Sequence, residues 1–587
     1  MRRVLLIAAL LCAACSRGES VSERTHQSQP VNGPVTASVI PADDLPPQGT
    51  RSLFDHWLAQ NDGLKFPFDR LVALLQATAP DGRAPASVMI PAGRSLLKAQ
   101  ADFAHPRVLV AADFEGKDTP ASIGLAPRGQ LFLGFVENAA EIEVISYNEA
   151  AGRFEFQLVQ NYCSGCVPRI VYARRAICTT CHQGGAPIFP QRPWNETNGQ
   201  SGIAEKIRAA RGSDTAYLGL PLTQSLSAPE RFDQLTDVGN FIPAAQRVWL
   251  DGCGSEASAR PATDGRAGAD STHASRAMDG DTAVACRRSL LKAALHYLRD
   301  PGGFDPHSTE AQALRETQAK HWPETGIVVS QSDLPNRDPL AETHGVRGFF
   351  RALLTRKPPP GAGARNNEDL EAFDKLPKLP VQLDPLTPRA PRQLLTAQDL
   401  DGVSGLAQFF TEADAHRLDA ATQGSAAKLD AAVNALPESF FAPAPFARVK
   451  TLQALLAVLH TPSPQYCCLD VSEMSPPQAS GVPPLALAKD SPLQPFADHC
   501  FACHRGNPAK RLDFMSGANE SEVAVHIKAK SEIREVLDWP RYRGTDKASK
   551  LMPPADSPQR AALEAAVAKD PQLLEKMRAQ VQGLFDF

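Results

Sequence analysis

Apolar and polar side chains alternate with a period of two between Leu131 and Gln160. Leu131-Phe132-Leu133-Gly134-Phe135-Val136, Ile142-Glu143-Val144-Ile145-Ser146-Tyr147 and Phe154-Glu155-Phe156-Gln157-Leu158-Val159 each predict a strand. Asn148 to Arg153 predicts the hairpin turn between the last two, with Gly152 supplying a positive φ. Upstream, Leu53, Phe54, Trp57 and Leu58 recur at helical spacing, as do Leu71, Leu74 and Leu75. Downstream, residues 286–299 form an amphipathic helical pattern that stops at Asp300-Pro301-Gly302-Gly303. Residues 396–460, 520–537 and 559–581 are also helical in period. The fold class expected is an α+β N-terminal domain, whose β-hairpin region leads into a Cys-x-x-Cys-His segment, followed by an all-α C-terminal domain.

Composition divides the chain further. Residues 1–15 have the form of an export signal: Met1-Arg2-Arg3, then an apolar run from Val4 to Leu11 too short to span a bilayer, then Cys12-Ala13-Ala14-Cys15. This end resembles a bacterial lipoprotein signal, which would make Cys15 the lipidated residue and the membrane a partner through a lipid anchor; plain export is the alternative. Residues 16–50, rich in Ser, Pro, Thr and Gln, read as a flexible tether. Residues 51–354 then form the N-terminal domain, 355–395 a Pro-rich linker, 396–489 a helical segment with a second linker, and 490–587 the C-terminal domain. Within the N-terminal domain, 254–281 reads as a surface insertion. The whole chain of 587 residues has a net charge of −4, with no basic stripe, which argues against nucleic acid as a partner.

Two segments carry the chemistry. Cys178-Thr179-Thr180-Cys181-His182 and Cys500-Phe501-Ala502-Cys503-His504 both fit C-x-x-C-H, the attachment motif of c-type haem. Thiols two residues apart can add to the two vinyl groups on one porphyrin edge, and the next residue sets its imidazole under the iron. At this composition roughly 0.006 matches would arise by chance, so two are not an accident. Lys550-Leu551-Met552-Pro553-Pro554 offers a thioether downstream of the second motif on a loop stiffened by proline.

With its motif helix, intermediate helix, methionine loop and closing helix, the stretch 490–587 resembles class I cytochrome c. That resemblance implies His504 and Met552 as axial ligands, with Met515 as the fallback. Ile145 to Asn198 resembles a segment of uncharacterised bacterial cytochrome-like lipoproteins and supports His182 as the axial ligand of a first haem. Trp194, Asn195 and Glu196 either line that haem or pack a following helix. The sixth ligand of this first iron stays open among Met89, His105, His273, Met278, His296, His307, His321, His344, water or nothing. The expected cofactors are therefore two covalently bound c-type haems, and the expected function is electron transfer with redox partner proteins in the periplasm or cell envelope. The alternative is a diheme oxidoreductase of peroxidase or oxygenase type acting at the first haem. The chain resembles diheme peroxidases in having two motifs, but differs in length and motif spacing, so no peroxidase catalytic residue is carried over.

Cys163-Ser164-Gly165-Cys166 precedes the first motif, and together they give C-x2-C-x11-C-x2-C, close to a four-cysteine zinc spacing. Export and the histidine after Cys181 weigh against zinc. With Cys12 removed, Cys15 lipidated and four cysteines on haem, Cys163, Cys166, Cys253, Cys286, Cys467 and Cys468 remain to form disulfides in an oxidising compartment. Cys253 with Cys286 is the favoured pair, because it would close the insertion into a loop.

Overall fold

The computed structural model describes residues 35–37, 44–79, 82–91, 101–113, 128–179, 182–188, 194, 196–254, 280–321, 327–328, 394–395, 402–463, 471–480, 485–488, 491–507, 512–543, 545, 551–553 and 558–583. The expected positions Cys15, Cys181, Asn195, His273, Met278, His344, Cys467 and Cys468 lie outside the described residues, as does most of the 254–281 insertion. The α+β character holds: an antiparallel sheet in the N-terminal part is accompanied by many helices.

Strand β1 (Val35–Ala37) comes first in the chain, followed by helices α1 (Leu53–Gln60) and α2 (Phe68–Thr78). A six-stranded antiparallel sheet follows, in which neighbours in sequence are neighbours in space: β2 (Ala86–Ile90), β3 (Arg107–Ala111), β4 (Leu131–Val136), β5 (Glu141–Asn148), β6 (Arg153–Gln160) and β7 (Arg169–Tyr172). The three predicted strands are β4, β5 and β6, and Gly152 in the turn has φ 61°. Strands β2 and β3 were not foreseen, because both of their faces are covered and the period-two signature is lost.

Side chains alternate across this sheet. Met89, Val108, Val110, Leu131, Leu133, Phe135, Ile142, Val144 and Val159 pack under α1 and α2 with Phe54, Trp57, Phe68 and Leu71. Phe54 and Trp57 are fully buried, each worth about 2–3 kcal/mol of transfer free energy. Ser52 begins α1 with a capping box that includes Asp55. On the other face, Val88, Ile90, Leu109 and Phe132 meet Trp194, Phe232 and Leu235.

After β7 come α3 (Arg175–Cys178), α4 (Ser201–Arg211), the small ribbon of β8 (Ala216–Tyr217) and β9 (Leu220–Pro221), and α5 (Ser227–Leu250). Then follow α6 (Gly280–Arg299), which covers the predicted 286–299 helix, α7 (Thr309–His321), and the paired β10 (Ile327–Val328) and β11 (Leu394–Leu395). A helical array completes this part: α8 (Gly402–Ala407), α9 (Glu412–Thr422), α10 (Ala426–Ala435) and α11 (Arg448–Val458).

The helices of 402–458 follow the stretch expected as a linker at 355–395, most of which lies outside the described residues. Leu406, Phe409, Leu418, Leu429, Phe446 and Leu452 share one core with Tyr147, Phe154, Trp249 and Leu290. The 402–458 helices therefore belong to the N-terminal unit. Gln246 links the two stretches by donating to Phe446 O (2.8 Å) and accepting from Phe446 N (2.9 Å). Cys253 and Cys286 are disulfide-bonded, joining the end of α5 to α6. Beside them the Arg287 guanidinium, 1% exposed, donates to the carbonyls of Trp249, Leu250, Gly254 and Phe441 at 2.8–3.2 Å.

The C-terminal unit has its own core. Strand β12 (Ala486–Ala488) precedes α12 (Gln494–His504), α13 (Glu520–Lys528), α14 (Glu532–Val536), α15 (Trp539–Tyr542), α16 (Pro558–Lys569) and α17 (Leu573–Gly583). Phe496, Phe501, Met515, Val523, Ile527, Trp539, Leu563 and Met577 pack together among them. The helix expected over 559–581 is split at Asp570-Pro571, where proline removes a backbone donor. The one expected over 520–537 is broken at 529–531 into α13 and α14.

Of the tether expected over 16–50, residues 35–37 and 44–50 are described. Val35–Ala37 pairs antiparallel with Ala486–Ala488, and Asp44 is 4% exposed. Part of the second expected linker lies along the sheet edge: Tyr172 N donates to Gln478 O (2.7 Å) and Ser480 N to Tyr172 O (2.8 Å). That strip satisfies backbone groups that an open edge would leave bare.

Candidate functional site

The first motif segment begins where β7 turns into α3. Arg175 pins this short helix to the sheet: its side chain donates to Phe154 O (2.8 Å), pairs with Glu155 (3.5 Å) and lies over the Phe156 ring. Asp44 accepts from Arg175 N (2.9 Å), placing a carboxylate at the start of α3. After Cys178 the chain turns through Gln183–Gly185, and the His182 ring packs on Phe156 with centroids 5.3 Å apart. The loop after the motif is seated by two glycines. A Cβ on Gly239 would stand 2.6 Å from Gly129 O and 2.7 Å from Pro187 Cγ, so only glycine lets α5, the Gly129 turn and Pro187 meet.

The two histidines are held alike. A carbonyl can only accept, so the contact between His182 Nδ1 and Ala186 O (3.1 Å) puts the proton on Nδ1 and the lone pair on Nε2. His504 Nδ1 donates in the same way to Leu512 O (2.8 Å). Fixing the tautomer through a carbonyl on the far nitrogen is what a metal-ligating imidazole requires. Burial pushes the His182 pKa down to about 4, with a smaller downward push from Arg107, so the ring is neutral at pH 7. Phe514 packs against the His504 ring at 4.1 Å, and Met515 N donates to His504 O (3.0 Å).

The thiols of the second motif are held protonated. Cys178, Cys500 and Cys503 belong to neither disulfide. Burial pushes Cys500 and Cys503 up to about 12; the neighbouring Cys503 adds to the rise at Cys500, while Arg174 opposes it at Cys503. Thiols held neutral are poor metal ligands and poor exchange nucleophiles.

The turn and short helix leading into the first motif meet the second motif. Arg174, 5% exposed, donates to Phe501 O (2.9 Å) and to Arg505 O at the end of α12, and its guanidinium lies 5.1 Å from the Phe501 ring centroid. It also faces Asp44 at 3.9 Å. Cys503 Sγ lies 3.5 Å from Ala176 O, across a separation of 327 residues. Short helix α3 thus packs against α12, with the cation at the C-terminal end of α12 where the helix dipole favours it.

Met552 lies on a loop anchored from two sides. Its N–H donates to Val536 O (2.9 Å), its carbonyl accepts the Trp539 indole N–H (3.0 Å), and Arg560 donates to Pro553 O (2.9 Å) while covering Trp539 at 3.8 Å. Arg560 belongs to α16, which packs on α12. Met515, by contrast, is fully buried in the core next to the backbone of His504.

Several residues considered from the sequence are engaged elsewhere. Met89 packs under α1 and α2, on the sheet face opposite Phe156. His105 faces Asp102 (3.4 Å), His296 bonds Asp430 (2.9 Å), and His307 and His321 flank α7. Trp194 donates to Glu196 (2.9 Å) and packs edge-on against Phe232, so that pair serves the core. Cys163 and Cys166 are bonded to each other, which removes two of the four thiolates the zinc reading needs. Among the described residues no group of three or more His, Cys, Asp or Glu could hold a metal ion.

Sequence reasoning missed Asp44, Arg174 and the Arg107–Glu143 pair (2.5 Å), which lies over Gly134 on the His182 side of the sheet. The glycine within strand β4 was the available signal, since it marks a close approach. No family model, curated protein or solved structure matches the chain.

Proposed function

We propose that the chain is an exported, lipid-anchored c-type cytochrome with two covalently bound haems that moves electrons between redox partner proteins in the periplasm or cell envelope. The observation that carries this reading is the packing of α12, which bears the second C-x-x-C-H motif, against α3, which ends at Cys178 of the first, with Arg174 clasping the contact. Cys178 with Cys181, and Cys500 with Cys503, would hold the two haems; His182 and His504 would be axial through Nε2, and Met552 would complete the second site. When bound, each haem stores and passes one electron at its iron. The chain's part is to fix both imidazoles in the right tautomer, keep the thiols in dry surroundings and hold the two segments side by side. An anchor at Cys15 fits a body in which, among the described residues, no helix is long and apolar enough to cross a membrane.

A second reading is a diheme oxidoreductase, with peroxide or oxygen chemistry at the first haem and the second as relay. It is favoured by the engagement of Met89, His105 and His296 elsewhere. Carbon monoxide uptake by the dithionite-reduced protein, expressed per covalent haem, separates the two. Two haems with no uptake support electron transfer, and uptake at one haem of two supports the oxidoreductase. A chain with fewer than two covalent haems refutes both.

A further inference from the structure

The turn between β6 and β7 presents a disulfide unlike the one at Cys253–Cys286. Cys163 and Cys166 are bonded across a separation of only three residues; Cys166, Ser164 and Gly165 are exposed and Cys163 half-buried. Cys253 and Cys286 are 0% and 5% exposed, and their bond spans 33 residues. A ring this short restricts the unfolded chain less than the long loop does, so Cys163–Cys166 contributes less to stability. Two exposed apolar side chains belong to this region: Val167, next to Cys166 in the chain and 84% exposed, and Phe66, 42% exposed. Phe66 reaches the turn through Tyr162, whose ring it meets edge-on at 5.2 Å immediately before Cys163. Nothing lies within 4 Å of the position a Cβ on Gly165 would take, so the approach to the turn is open.

Exposed disulfides that stabilise little are the ones that exchange, and an exposed apolar side chain next to one offers a dithiol partner a contact. We infer that Cys163–Cys166 is a thiol–disulfide exchange site that accepts two electrons from a protein dithiol docking on Phe66 and Val167. The partner's thiolate attacks Cys166 Sγ, on the more exposed residue of the pair; the bond to Cys163 breaks, and Cys163 leaves as a thiolate that takes a proton from water. The partner's second thiolate then attacks its own sulfur in the mixed disulfide and releases Cys166, which is protonated in turn. The partner ends as a disulfide and this chain as a dithiol, with two electrons and two protons transferred. This inference does not rest on the haem reading.

The test treats the purified full chain with a thioredoxin-type dithiol protein and, in parallel, with dithiothreitol, quenches with iodoacetamide and reads each cysteine by peptide mass spectrometry. Cys163 and Cys166 should be alkylated at least about tenfold faster than Cys253 and Cys286, with unchanged far-ultraviolet circular dichroism. Val167→Ser should slow the reaction with the dithiol protein by about threefold or more and leave the dithiothreitol rate unchanged. Equal rates for the two pairs, or loss of secondary structure as Cys163–Cys166 opens, would overturn the exchange site. A Val167→Ser variant that behaves like the parent with the dithiol protein, or is slowed equally with both reductants, would overturn the docking flank.

Discussion

Replacing Arg174 with methionine removes the clasp between the two motif segments while keeping much of the side-chain volume. The guanidinium is buried and donates to two backbone carbonyls, Phe501 O and Arg505 O, with Asp44 facing it at 3.9 Å. Hydrogen bonds to a charged donor are worth about 1.5–3 kcal/mol each, and removing one partner of a buried charge pair costs about 3–5 kcal/mol. These terms overlap, since the same group makes all the contacts, so the expected loss is about 3–5 kcal/mol rather than their sum. Urea unfolding should show that loss, and hydrogen exchange should show protection falling first in α3 and α12 while α1 and α2 stay protected. Because Asp44 would lose its facing cation, adding Asp44→Asn should restore about 1–2 kcal/mol, and the four-variant cycle gives the coupling directly. A loss below about 1 kcal/mol, or protection falling evenly through the molecule, would refute the idea that Arg174 joins the segments.

Three further outcomes follow from the packing and the titrating groups. Gly239→Ala, whose new methyl would meet Gly129 O at 2.6 Å, should cost about 1–3 kcal/mol in urea unfolding, and Gly129→Ala, at φ 67° with Leu235 O only 2.5 Å from its Cβ, should cost more. Replacing Cys253 and Cys286 together by serine opens a loop with a separation of 33 residues and should cost about 3–4 kcal/mol by the chain-entropy relation, read under non-reducing conditions against the parent. His56, in buried helix α1, has its pKa lowered below 6.5 by burial, with Asp55 raising it and Arg51 lowering it further. The unfolded chain therefore binds a proton there before the folded one does. The associated stability is fully present above pH 6.5 and is lost as pH falls below it, so His56→Gln should flatten the stability profile below pH 6.5.

The parts of the fold legible in the sequence were those with an unmixed period. Strands β5 and β6 alternate because Glu143, Glu155 and Gln157 interrupt their apolar residues, whereas Ala86–Ile90 is buried at every position and carries no alternation to read. The proline run at 358–360 looked like a domain boundary, yet Gln246 and Phe446 bond across it, a tertiary choice that local composition does not encode. In the candidate site, the two motifs and the methionine loop were visible because their chemistry demands fixed spacing. Arg174 was not visible. Its partners are backbone carbonyls, which any residue supplies, more than three hundred positions away. Asp44 was hidden for a related reason, since it sits in a polar stretch that composition alone reads as unstructured.

The pairing of Val35–Ala37 with Ala486–Ala488 sets a schedule for synthesis. Val35 lies opposite Ala488, 453 positions later (488 minus 35). At about 5–20 residues per second, roughly 20 to 90 seconds separate the emergence of the two partners from the ribosome. During that interval the earlier strand has no edge to join, and the carbonyls that Arg174 will grip do not yet exist. The six-stranded meander can assemble from local hairpins, whereas closure of the molecule needs residues 486–488. A chain released short of residue 486 would keep its sheet and lose both the strand partner and the second motif.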